Sequence, residues 1–137
     1  MLLNLIFISA PSAAELSIPA VTGTKGEVVK LHVSVEKIDN LAGIKLVMTY
    51  DKNILKFIKA EKTTHTANML YVVNDKVPGR LIIVMAATKG IAGKDLKLVQ
   101  MSFELLQDVK KEEKVTLQIS EAELMSDKLK RIEINLR

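Results

Sequence analysis

Apolar and polar residues alternate along most of this chain, and Gly, Pro, Asn and Asp break the alternation at short intervals. Val29, Leu31, Val33 and Val35 fall in one row, with Lys30, His32 and Ser34 in the other, which predicts a strand with one wet face. In the run 41–50, Ile44, Leu46, Met48 and Tyr50 alternate with Lys45, Val47 and Thr49. Further strands are expected over 16–21, 54–60, 69–73, 80–87, 96–106, 115–119 and 129–136. Pro19 lacks a donor and marks an edge or a bulge. Turns are expected at 22–26, 38–40, 51–53, 74–79, 90–95 and 108–114, where Asp, Asn, Gly and Pro favour tight corners. Residues 63–68 read as a loop or one helical turn, and 120–129 as an irregular connection. Nine strands so punctuated predict an all-β sandwich.

The first residues break this pattern. M-L-L-N-L-I-F-I-S-A-P-S-A-A carries no charge, and its apolar run from Leu2 to Ala10 is too short to span a bilayer. Ser12 and Ala14 supply small side chains at −3 and −1 of a cleavage after Ala14, so 1–14 are expected to be a signal peptide whose start is truncated. One domain, 15–137, remains, and its expected location is secreted, cell-surface or periplasmic.

Composition narrows the chemistry. At 137 residues the chain has room for one workable core, but with no Trp, two Tyr and three Phe that core must be aliphatic and Met-rich. No Cys is present, so disulfides, thiolate metal sites and thiol nucleophiles are excluded. The net charge of +4 is spread among 16 carboxylates, which reads as a solvated basic surface. Lys128, Lys130 and Arg131 cluster without neighbouring rings, so no nucleic-acid partner is expected. His32 and His65 lie in different segments without a carboxylate at metal-ligand spacing, and no metal site is expected. No nucleophile elbow or phosphate-binding glycine loop occurs. Asp51 reads as a turn cap, and the Glu112-Glu113 and Glu121/Glu123 pairs as solubilising charge. No catalytic residue is proposed and the chain is read as a non-enzyme.

One strand stands apart. In Arg80–Ala87 both rows are apolar, with Ile82, Val84 and Ala86 in one and Leu81, Ile83 and Met85 in the other. Each sheet of a sandwich has a single buried face, so the outer row of such a strand must be covered. Val47 in the outer row of the neighbouring run fits the same picture. The cover is a partner, a loop of the same chain such as 63–68, or a second copy in a homodimer.

These residues resemble a known family. L-A-G-I-K-L-V-M-T-Y-D-K-N-I-L-K-F, residues 41–57, is similar to the third-strand signature of cohesin domains, and Gly26 to Val35 to their second strand. Gly79 to Ala87 followed by Leu98 to Leu105 matches the later strands in type and spacing. The resemblance spans nearly all of 15–137 and implies a nine-stranded sandwich of jelly-roll topology without a catalytic site. It implies docking of a dockerin-like module, with calcium carried by that partner and not by this chain, on a face built from the third, fifth, sixth and eighth strands. Carried over residue by residue, the expected partner-binding positions are Lys45, Val47 and Thr49 on the third strand and Ile83, Met85 and Thr88 on the sixth. Gly43 and Lys45 stand where many cellulosomal members have Asn and Asp, and Lys52 where the family usually has Pro. These departures imply a non-cellulosomal member with its own partner, touching polysaccharide only indirectly. Two other readings compete. A carbohydrate-binding module of related fold would present exposed aromatic rings, and a structural adhesin domain would self-associate through its apolar row.

Overall fold

The computed structural model describes residues 13–111 and 117–136. Its strands are β1 (Ala14–Ser17), β2 (Val28–Tyr50), β3 (Leu55–Lys62), β4 (Leu70–Asn74), β5 (Arg80–Leu105), β6 (Leu117–Met125), β7 (Arg131–Ile132) and β8 (Ile134–Leu136). The protein is an all-β jelly-roll sandwich in which β2 and β5 pair antiparallel along nearly their whole lengths and pass through both layers. In one layer, β3 joins the C-terminal half of β5, which joins the N-terminal half of β2, then β1 and, in parallel, β8. In the other, β4 joins the N-terminal half of β5, which joins the C-terminal half of β2, then β6 and β7.

The passage between layers joins four of the nine expected strands into two, β2 and β5, and the last expected strand, 129–136, divides into β7 and β8, so that eight are observed. The turns expected at 38–40 and 90–95 are corners inside β2 and β5, where the ladder slips between Ile38 and Leu41 and again before Gly43. Bulges bend a strand without ending it. They also change which row faces inward: Leu31, Val33 and Val35 are buried before the β2 corner, and Ile44, Leu46 and Met48 after it. Residues 120–129, expected to be irregular, mostly continue β6 as far as Met125, because pairing with β2 supplies the hydrogen bonds that a weak local pattern does not advertise. The first strand is shorter than expected and stops at Ser17, before the donorless Pro19. Ala14, assigned to the end of the leader, is the first residue of β1, buried and donating its N–H to the Glu133 carbonyl at 2.8 Å. Residues 1–12 of that leader, and Val115 and Thr116 of the eighth expected strand, lie outside the described residues.

The core between the layers is aliphatic around one ring. Phe103 is fully buried, with Tyr50 and Phe57 packed edge-on against it at centroid distances of 5.2 and 5.6 Å. The β5 hairpin begins at a tight turn in which the Arg80 N–H donates to the Val77 carbonyl and Gly79 has φ +88°. Pro78 and Gly79 in the two central positions are the residues a type II turn requires.

A polar pin holds the corner. Asn40 donates from Nδ2 to Asp127 Oδ1 at 2.8 Å and accepts the Asp127 N–H at Oδ1, while Asp127 Oδ2 accepts the Gly90 N–H at 3.2 Å. The Asn40 amide first, then the Gly90 N–H, hold the Asp127 carboxyl below its ordinary value of 3.8. A carboxylate so lowered stabilises the fold above its unfolded value, and that contribution is lost as pH falls through the lowered one. Gly90 is essential to the arrangement, since a Cβ there would lie 1.6 Å from Asn40 Oδ1. Gly90→Ala is therefore expected to cost about 1–3 kcal/mol. It should also flatten the acid limb of stability below the ordinary carboxyl value of 3.8, as checked by urea unfolding at a series of pH values.

Candidate functional site

The register between β2 and β5 decides which residues face outward in the layer β4–β5–β2–β6. Met85 lies opposite Ile44, Ile83 opposite Leu46 and Leu81 opposite Met48, and directly opposed residues share a face. Ile44, Leu46 and Met48 are 0–2% exposed. Ile83 and Met85 are accordingly core residues, 0% and 1% exposed, and the expectation that they point outward is corrected. The outward row of β5 is Ile82, Val84 and Ala86, one residue out of phase, with Thr88 exposed beyond it. Both rows are apolar, so hydropathy did not distinguish them. Arg80 did carry the signal: a charged residue at the start of the strand belongs outside, and Ile82 and Val84 share its parity.

The outer face can be read across the strands. β4 contributes Leu70 and Val72, opposite Ala86 and Val84 of β5. β2 contributes Lys45, Val47 and Thr49, opposite Val84, Ile82 and Arg80 on one side and Glu123, Glu121 and Gln118 on the other. Thr49 is exposed and Lys45 half-buried, as befits outward positions. Val47 is outward yet only 4% exposed, so its neighbours close over it and it forms the floor of the face. Leu70, Val72 and Val84 are 81%, 68% and 42% exposed and form an aliphatic strip along one side. Sequence reasoning missed Leu70 and Val72, because a five-residue apolar run looks the same whether it is buried or open.

The opposite side is charged and paired. Lys45 Nζ lies 3.7 Å from Glu121 Oε1, and Arg131 Nη2 lies 3.5 Å from Glu123 Oε1. Exposed pairs of this kind contribute little to stability, up to about 1 kcal/mol. Their relevance is to recognition, since Lys45 presents its charge already matched by a carboxylate. The face thus offers a partner an apolar half and a half in which charges alternate.

The loop 63–69 does not close over this strip. Thr66 Oγ1 donates to the Leu98 carbonyl at 2.9 Å, and His65 Nδ1 accepts the Lys97 N–H at 3.0 Å, tying the loop to the other half of β5. Lys62 Nζ donates to the Ala67 and Met69 carbonyls and sits 5.4 Å from the Tyr71 ring centroid, which fixes where β4 starts. Among the described residues the rings of Tyr50, Phe57 and Phe103 pack together on the core, so no row of exposed aromatics lines the face. No group of three or more His, Asp or Glu among them could hold a metal ion.

The comparisons with known proteins agree with this architecture. The family model for the cohesin domain matches residues 14–133. The chain belongs to the cohesin family. No curated protein sequence matches it. The sixth cohesin of scaffoldin B from Acetivibrio cellulolyticus, solved in complex with a mutant Cel5 dockerin, has 18% identity and a TM-score of 0.78, over 92% of this chain and 95% of that one. A non-cellulosomal cohesin from the archaeon Archaeoglobus fulgidus has 17% identity and a TM-score of 0.76, over 91% and 86% of the two chains. A Clostridium thermocellum OlpC cohesin, solved in complex with a dockerin, has 17% identity and a TM-score of 0.74, over 94% of each. The cohesin family is one of non-catalytic protein-binding modules. Among the described residues no helix is long and apolar enough to cross a membrane.

Proposed function

We propose that this cohesin docks a dockerin-like module on the outer face of β4, β5, β2 and β6, and that it does so outside the cell as part of a scaffold or surface assembly. The observation that carries the reading is the aliphatic strip of Leu70, Val72 and Val84, exposed on the face where the family resemblance locates the partner. Side chains of this kind, packed against a complementary surface and ringed by polar residues, are what binding hot spots are made of. The binding positions in this reading are Lys45, Val47, Thr49, Ile82, Val84 and Ala86, with Leu70 and Val72 at the edge and Thr88 at the end of the row.

Lys45 presents a donor-only ammonium where many cellulosomal members carry Asp, so a dockerin selected to meet that carboxylate meets the opposite charge here. A dedicated, non-cellulosomal partner follows from that chemistry. Calcium belongs to the partner in this reading, and export to the uncharged leader. The experiment is capture from the secretome of the native organism, with the chain immobilised, with and without a calcium chelator. Recovery of a dockerin-like protein that is lost on chelation is the expected result. Saturable binding to a polysaccharide in place of a protein would overturn the proposal.

A further inference from the structure

Each sandwich layer has two edge strands, and they are not equally defended. β3 carries Lys56, Lys59 and Lys62, while β7 and β8 are only two and three residues long. Lysines and short length are the usual means of keeping a sheet edge from pairing with another chain. β4 has neither. Its sequence is L-Y-V-V-N, without charge, Pro or bulge, and among the described residues it pairs with β5 alone. Every second residue of such a strand directs its N–H and C=O away from the sheet. Leu70, Tyr71 and Val72 are 81%, 41% and 68% exposed, so nothing described in the chain covers the edge.

We propose that β4 pairs antiparallel with β4 of a second copy of this chain, centred on Val72. The two-fold arrangement sets Val72 against Val72 and Leu70 against Asn74 on the outer face. It also sets Asp75 of each copy beside Met69 of the other. Lys62 Nζ lies 3.0 Å from the Met69 carbonyl oxygen, on the side of the Tyr71 ring. Asp75, just past the end of β4, lines one cavity with Tyr71 and Val73 and so lies on the same side, and it has no ion pair of its own among the described residues. The pairing therefore brings this carboxylate to an ammonium whose contacts among the described residues are two carbonyls and a ring, twice by symmetry. A contact of five residues a side is well below the roughly 1,200 Å² of a stable interface, so the dimer is weak and concentration-dependent. It is closed, because an isologous contact uses the edge on both copies. The two outer faces then lie side by side on one continuous sheet, presenting two docking sites to the same direction.

Sedimentation equilibrium of the full chain, without any partner, tests this between about 10 µM and about 1 mM. A monomer–dimer equilibrium is expected. Val72→Lys and Val72→Glu should each be monomeric throughout with an unshifted thermal midpoint, since Val72 is largely exposed, and an equimolar mixture of the two should dimerise again. Asp75→Asn should weaken association about tenfold, as removal of a charge-assisted contact does. A wild-type chain that stays monomeric at the highest concentration, a dimer that survives Val72→Lys, or growth beyond a dimer would each overturn the proposal. None of these results depends on docking, so the proposed function stands or falls separately.

Discussion

Ile83→Asp combined with Met85→Asp is expected to leave no folded protein under native conditions. Both side chains are in the interior at 0% and 1% exposure, opposite Leu46 and Ile44, which offer a carboxylate no hydrogen bond. A charge buried without a partner costs several kcal/mol, and two of them match or exceed the 5–15 kcal/mol that holds a typical domain together. Ile82→Asp is the matched control. It lies one residue away on the outer row and is opposite Val47 and not a core residue. That variant should fold with a midpoint within a few degrees of the parent. Far-UV circular dichroism and urea unfolding of the two proteins distinguish the rows directly. A native-like midpoint for the Ile83/Met85 double variant would mean that the β2–β5 register is wrong by one residue.

Val84→Asp is expected to produce the opposite pattern, a folded protein that no longer captures its partner. Val84 is 42% exposed and sits between Val72 of β4 and Lys45 of β2 at the meeting point of the apolar and charged halves of the face. A carboxylate there loses the apolar contact and must be desolvated by any partner that covers it. Losses of about 2 kcal/mol or more are typical when the centre of an interface is changed, which corresponds to about 30-fold in affinity. Calorimetric titration with the captured partner, in the presence of calcium, measures it. Unchanged affinity in a folded Val84→Asp would locate docking on another surface.

The contrast between these two variants shows where the sequence was readable. Before the β2 corner, charged or polar Lys30, His32 and Ser34 alternated with Leu31, Val33 and Val35, and the inward row was correctly assigned. In Arg80–Ala87 both rows were apolar, and the wrong one was placed outside. The family resemblance named the third, fifth, sixth and eighth strands, and these correspond to the β2, β4, β5 and β6 segments that pair in one layer. It did not supply phase, because a shift of one residue moves an entire row to the opposite side.

The sequence by itself determined the all-β class, the places where the chain turns and the absence of thiol chemistry. These follow from local properties: side-chain period, the backbone preferences of Gly, Pro, Asn and Asp, and residue types that are present or missing. Tertiary structure alone decided that β2 and β5 run unbroken through their corners, that Val47 is buried and Val84 open, and that β4 pairs on one side only among the described residues. Each of these depends on which strand lies beside which, and cross-strand register is a long-range property fixed by pairing between residues such as Leu46 and Ile83, distant in sequence.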